Sequence, residues 1–415
     1  MGSGGAHETW KRLAHGQAHG LQPETARVLC VPGGHRAGAT GNSARAAERH
    51  AAVEGGSAMI GQGGGRRAYA QITIGGADIT AQLQRYITSV VYSDNEEDWA
   101  DDLQINMHDR GGLWLCSWLQ QAIEAASPGG GGLFITAAFV RHGYPGDGNN
   151  GLMLDCGSFE LDAVVAKGPP STVTLKSTSL PFGTGARQTE KNREWGPCAL
   201  SDIASAIAAE AGMGFLFESG SDPRYERQEQ ARESDVRFLS RLCHDAGLAL
   251  KATGESIVLF DQAEYESRPP VMTFVKGDGT YCKWALESGA AGASHTACRV
   301  CYTEPGTGNL VEGYAYAEGY DEGDPGPLVL EVSAKVKDAA EAALLAEKRL
   351  RRANRFGMSA HFEMPGEPRL MAGLTVALEG WGPWNGAYMV SQARHEVGAA
   401  GYTTNVKLRQ ALGAL

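Results

Sequence analysis

The sequence predicts an α+β fold that is mainly β, with two barrel-like β domains flanking a small α/β unit and a helical excursion in the second β domain. Three observations predict it. Apolar and polar residues alternate from Arg67 to about residue 180, the apolar spacing changes to three and four between residues 181 and 262, and alternation returns after residue 263, broken once by an Ala-rich segment.

Residues 1–66 stand apart. They contain no Asp, Phe or Tyr, hold five of the eleven His, and are rich in Gly, Ala and Arg without a hydrophobic period. Such a segment buries too little to fold alone. It reads as a disordered extension or as a mis-assigned start ahead of Met59, and the composition break favours the second.

Residues 67–180 form the first barrel-like domain in this reading. "AYAQITIGGADITAQL" alternates around a Gly75-Gly76 turn, and "YITSVVYSD" and "DDLQINMHD" alternate on either side of the charged loop "NEEDWA". "GLWLCSWLQQAIEAA" suits a short helix or a strand, "SPGGGG" a loop, and "LFITAAFVR", "LMLDCGSFELDAVVAK" and "STVTLKSTS" further strands. Closing such a series into a barrel or small sandwich removes exposed edges.

Residues 181–262 form the α/β unit. In "PCALSDIASAIAAEAGM", Leu200, Ile203, Ala204, Ile207, Ala208 and Ala211 share one helical face, with Gly212 as the stop. The strand "GFLFE" follows. In "ESDVRFLSRLCHDAG", Val236, Leu239, Leu242, Cys243 and Ala246 line a second helix, with Ser234 at the N-cap position and Gly247 at the exit. Strands "LALKA" and "SIVLFD" complete the unit. Residues 263–415 are the second barrel-like domain: "PVMTFVK" and "ACRVCYTE", then a helix at about 338–355 opened by Asp338 and Glu341, then strands from "LTVALEGW" through "AYMVSQARHEV" to "TTNVKLRQ".

Charge narrows the function classes. Residues 1–67 carry 8 Lys or Arg against 4 Glu, so the remainder of the chain holds a net −15 within the formal −11. A body that acidic repels nucleic acid, and no specific nucleic-acid binding is expected. No run of 18 apolar residues marks a membrane segment, and the N-terminus lacks a signal-peptide core. The eight Cys are scattered, which favours reduced thiols.

The candidate chemistry is thin. His295, Cys298 and Cys301 are ligand types that zinc accepts, but on a strand residues three apart point to opposite faces. His395 and Glu396 begin like a zinc-protease helix, yet position 399 is Ala. The tetra-Gly run 129–132 lacks the Lys and Ser or Thr of a phosphate loop. His244 and Asp245 are neighbours on a helix, about 100° apart around its axis, and diverge. The carboxylates Glu96, Glu97, Asp98, Asp101 and Asp102 suit a hydrated hairpin tip better than a calcium site or an acid–base pair. No catalytic, cofactor-binding or metal residue is assigned, no cofactor is expected, and the chain is read as not an enzyme.

The order of parts is more informative. "ESDVRFLSRLCHDAGLALKATGESIVLFD" resembles the helix and strand pair of the late control gene D proteins of contractile-tailed phages and of the related valine-glycine-repeat spike proteins of type VI secretion. "DDLQINMHDRGGLW" is similar to that family's early strand and turn, and "LKSTSLPFGTGARQTEKNREWGPCALSDIASAIAAEAGM", with Trp195, to its linker into the first helix. "GEPRLMAGLTVALEGWGPWNGAYMVSQARHEVGAAGYTTNVKLRQ" is similar to its closing strands, so the likeness runs in order over roughly residues 67 to 412.

The resemblance implies a structural baseplate hub: a homotrimer whose two barrel-like domains per chain make a pseudo-sixfold ring, adapting a hexameric tail tube to a trimeric spike. Its expected partners are the tail tube protein, a separate spike protein, since the chain stops at Leu415 directly after the last strand, and other baseplate proteins. The expected location is the virion tail baseplate, assembled in the bacterial host cytoplasm. The same part in a phage-tail-like bacteriocin or type VI-like injection machine is the alternative, and a tail-associated cell-wall hydrolase is the rival of another class.

Overall fold

Alternation between Arg67 and Thr178 builds seven strands in the computed structural model: β1 (Arg67–Ile74), β2 (Ala77–Asp78), β3 (Ile87–Asn95), β4 (Asp102–His108), β5 (Phe134–His142), β6 (Leu152–Lys167) and β7 (Thr172–Thr178). The structure describes residues 65–78, 85–97, 100–112, 132–144, 146–147, 151–179, 189–253, 256–289 and 295–412. The expectations for residues 1–64, for most of "GLWLCSWLQQAIEAA" and for Gly129 to Gly131 lie outside those residues. The turn expected at Gly75-Gly76 joins β1 to β2, both glycines at positive φ. Register slips between Thr136 and Ala138 along β5, and Gly157 of β6 stands there at φ 85, the left-handed backbone that a bulge uses to bend a long strand.

The middle of the chain supplies β8 (Lys191–Trp195), β9 (Cys198–Ala199), α1 (Leu200–Glu210), β10 (Gly214–Glu218), β11 (Arg224–Tyr225), β12 (Gln228–Glu233), α2 (Asp235–Ala246), β13 (Ala249–Ala252), β14 (Ser256–Phe260) and α3 (Gln262–Glu266). Leu200, Ile203, Ala204, Ile207 and Ala208 are the buried face of α1, as their spacing predicts. Helix α2 leaves at Gly247 in the left-handed region, again as expected. Its start differs in detail. Ser234 occupies the N-cap position, but its hydroxyl is buried and makes no cap bond. Asp235 is instead held by Lys191, Arg193 and Gln230 at that helix end.

β14 is the central strand of the sheet β10-β14-β13, and both of its faces are covered. Ile257 and Leu259 pack with Leu239, Leu242 and Cys243 under the helices, whereas Val258 and Phe260 pack with Tyr265 and Met389 on the other side. Burial on two faces explains why this strand reads as an unbroken apolar run. By the same alternation Leu250 faces the helices, while Ala249 faces away from them, and so does Lys251.

The last part adds β15 (Thr273–Val275), β16 (Lys283–Ser288), β17 (Ala297–Thr303), β18 (Leu310–Tyr316), β19 (Val329–Ser333), α4 (Ala339–Asn354), β20 (Met358–Pro365), β21 (Thr375–Glu379), β22 (Gly386–Gly398) and β23 (Gly401–Gln410). Asp338 caps α4 by accepting from Glu341 N at 2.8 Å, and the Glu341 side chain accepts from Lys337 N at 2.7 Å. One face of α4, with Ala342, Ala346 and Leu350, covers Cys298 and Val300 of the sheet β18-β17-β19.

The β regions at the two ends of the chain meet in one sheet. β22 pairs antiparallel with β3, Glu396 opposite Val91, so a 13-stranded sheet runs β16-β20-β23-β22-β3-β4-β7-β6-β5-β1-β2, with β21 and β15 attached at β22. Tyr402 of β23 belongs to the same core as Ile72, Ile105, Phe139, Phe159 and Val173 of the first region. The fold is α+β and mainly β.

Candidate functional site

The polar groups of greatest consequence lie where the α/β unit meets the sheet. The expectation of a hydrated tip between β3 and β4 fails for three of its carboxylates: Glu96, Glu97 and Asp101 are 4%, 8% and 5% exposed, whereas Asp102 is exposed as expected and Asp98 lies outside the described residues. Each of the three is met by a cation from another part of the chain. Arg409 of β23 donates to Glu96 at 2.9 and 2.5 Å and to Glu266 of α3 at 2.5 Å. Arg352 of α4 reaches Glu97 at 3.0 Å, and Arg355 pairs with the same carboxylate. Lys251 of β13 reaches Asp94 of β3 at 2.5 Å and Asp101 at 3.8 Å. The expectation fails at these three residues because tertiary cover, which no local pattern records, takes their carboxylates out of water and brings cations to them.

The basic end of α4 spreads these contacts. Lys348 pairs with Asp261 at 2.8 Å, Arg349 with Asp245 at 3.0 Å, and Arg351 with Glu266 at 3.2 Å. One helix therefore holds α2, α3 and the β3–β4 loop through charge-assisted bonds. A second buried group ties the two β regions: Arg141 of β5 reaches Asp147 at 2.6 Å, the Gly366 carbonyl at 2.5 Å and Glu367 at 3.3 Å. Burial alone would raise the Glu367 carboxyl; hydrogen bonds from Arg369 and the charge of Arg141 outweigh it and hold it below its ordinary value.

The residues singled out by sequence do not converge. Cys298 is buried under α4 and its thiol is pushed up to about 11, chiefly by burial. Cys301 lies on the opposite face beside Ser333, the separation expected on a strand. His244 contacts Ser240 at 3.4 Å, whereas Asp245 turns to Arg349, so the adjacent pair diverges as read. His395 is fully buried in β22, with Nδ1 2.9 Å from the Tyr402 hydroxyl and Nε2 2.9 Å from the Leu370 carbonyl. Its neighbour Glu396 points outward to Arg394. Burial lowers the His395 pKa to about 4, so the ring is neutral through the neutral range. Among the described residues no three His, Cys, Asp or Glu side chains are grouped to hold a metal ion. No helix there is long and apolar enough to cross a membrane.

Lys251, Arg409 and the basic turn of α4 escape a pattern-based reading. The signal present is a single charge inside an apolar strand, as in "LALKA", because such a charge requires a buried partner. On the surface, β16 ends the sheet path with Trp284 51% exposed, and Phe356, 50% exposed, lies with Leu286 and Ser359 around a hollow beside it.

Comparison with known proteins follows the same parts. The model of the family "Phage tail baseplate hub (GPD)" matches residues 184–401. A probable baseplate hub protein of Escherichia phage 186 is 24% identical over 231 residues, 54% of each chain. A probable baseplate hub protein of Escherichia phage P2 is 26% identical over 172 residues, 41% of this chain and 39% of the relative. The chain thus spans about half the length or less of the curated relatives it matches. Among solved structures, a tail protein from Neisseria meningitidis MC58 superposes with a TM-score of 0.58 at 13% identity, covering 83% of this chain and 97% of that one, which shows a shared fold.

Proposed function

The chain belongs to the phage tail baseplate hub (GPD) family, and from that premise we propose that it is a structural baseplate hub of a contractile phage tail, joining the tail tube to the spike without catalysis. The observation that carries this reading is the single sheet through both β regions, fastened to the α/β unit through buried Lys251 and its carboxylates Asp94 and Asp101.

In this reading residues 67–180 and 263–415 are the two hub domains, barrel-like and arranged in a homotrimer, and residues 181–262 lie between them in sequence. A trimer with two similar domains per chain presents six near-equivalent surfaces to a hexameric tube and three to a trimeric spike. β16, which among the described residues ends the sheet path and exposes Trp284, supports association, since unpaired strand edges and exposed aromatics favour protein contacts. The proposed partners are the tube protein, a separate spike and other baseplate proteins, and the proposed location is the virion tail baseplate after assembly in the host cytoplasm. The test is an averaged image of tail ends carrying a tagged copy of the chain. Label at the tube–spike junction in three copies is expected; tails that lack the label there overturn the reading.

A further inference from the structure

Two carboxylates share one ammonium where three parts of the chain meet. Lys251 projects from the face of β13 turned away from α1 and α2, Asp94 comes from β3, and Asp101 stands just before β4. Their side chains are 4%, 1% and 8% exposed, so water screens them little. The two acids are held unequally. Asp94 receives Lys251 Nζ at 2.5 Å and Ala372 N at 2.8 Å. Asp101 receives Asn95 N at 2.9 Å and lies 3.8 Å from the ammonium. With both ionised, one positive charge faces two negative ones in the interior, and the less well-held carboxyl reduces that cost by keeping its proton.

We propose that Asp101 is a proton-operated latch on the junction between its segment and the α/β unit: the junction stays closed while this buried carboxyl keeps its proton and loosens when it ionises. The surrounding groups leave it alone in this role. Tyr92 of β3 and Cys156 of β6 are both pushed up by burial and stay neutral. His395 of β22, lowered to about 4, is neutral above that value. Asp102 of β4 adds negative charge beside Asp101, and Glu96, already joined to Arg409, adds to the field on Lys251. Burial raises Asp101 most, Lys251 pulls it back and Asp94 raises it again, which leaves it at about 7 against an ordinary 3.8.

The direction follows from linkage. The closed junction binds a proton that the opened, hydrated junction releases. Stability from Asp101 is therefore full below its ordinary value and lost as pH rises through the folded one. Opening becomes about tenfold easier per pH unit in that interval, then levels off.

Hydrogen exchange on the full chain, read by mass spectrometry from about pH 5 to about pH 8 and corrected for the intrinsic rate, tests this. Peptides over Tyr92 to Glu97 and over Ala249 to Thr253 should exchange faster as pH rises, with a plateau near neutrality, while peptides over α1 show no such trend. Asp101→Asn should flatten the seam response. A wild-type seam without the trend, or an Asp101→Asn variant that keeps it, overturns the latch. If that variant does not fold, carboxyl-carbon NMR of the wild type decides: a midpoint near neutrality supports it, and one in the ordinary aspartate range overturns it.

Discussion

Arg409 donates to Glu96 through Nε at 2.9 Å and through Nη2 at 2.5 Å, a two-point pair between side chains 0% and 3% exposed and 313 positions apart. The pair bolts the closing strand to the loop between β3 and β4, and Glu266 of α3 takes a further Arg409 nitrogen. Three distant segments thus converge on one guanidinium, whose planar fork suits paired carboxylates.

Removing that guanidinium should be costly. Arg409→Met leaves Glu96 buried with, among the described residues, Gln262 at 3.1 Å as its remaining side-chain donor, and a stranded buried charge costs about 3–5 kcal/mol. Adding Glu96→Gln should recover part of the loss, because the neutral amide needs no counter-charge. Urea unfolding of the two single variants and the double variant measures the coupling. Strictly additive costs would remove the pair from the account of stability.

Leu239→Ala should destabilise by about 2–5 kcal/mol, since Leu239 is fully buried between α2 and the sheet beneath it. His244→Ala should be tolerated, because His244 lies on the half-buried side of the helix and its contact with Ser240 is long. Phage yield and thermal unfolding of both variants separate packing from chemistry. A His244→Ala protein that folds and assembles normally yet loses infectivity would revive a catalytic reading.

His395 predicts an acid-side loss of stability. The Leu370 carbonyl only accepts, so Nε2 carries the hydrogen and Nδ1 accepts from the Tyr402 hydroxyl. Burial lowers the folded pKa to about 4 from 6.5, so the unfolded chain binds the extra proton between these values. The stabilisation is whole above the ordinary histidine value and is lost as pH falls toward 4, on the order of 3 kcal/mol. Urea midpoints across that interval should fall with acidity in the wild type and change less in His395→Gln; parallel profiles would refute the assignment.

Local pattern made much of this architecture legible. "GFLFE" and "LMLDCGSFELDAVVAK" coincide with β10 and β6, and the buried residues of α1 are those its spacing selects. β16 carries no legible pattern because nearly all of "KWALES" faces solvent at a sheet edge, which leaves no alternation. The burial of Glu96, Glu97 and Asp101 is not legible locally because their cover comes from β13, α4 and β23, between 150 and more than 300 positions away, and local sequence does not encode such contacts. The union of the two β regions through β22 and β3 was equally invisible, since strand pairing over that separation depends on the assembled fold.

The proposed place at the mouth of a tube sets a final expectation. DNA leaving through a ring is hindered by any surface that neutralises phosphates, because each such contact releases counterions and holds the duplex in place. The chain is acidic, with a formal net charge of −11, and many of its cations are already committed inward, as Lys251, Arg352 and Arg409 are. The chain should therefore form homotrimers, alone or with its spike, bind the tube protein, and show no salt-sensitive affinity for duplex DNA. Sedimentation with both partners and DNA binding across a salt series measure these separately. A strict monomer in the presence of tube and spike would remove the symmetry adaptor, whereas tight DNA binding at low salt would remove the expectation that the chain lets DNA pass and leave the hub reading standing.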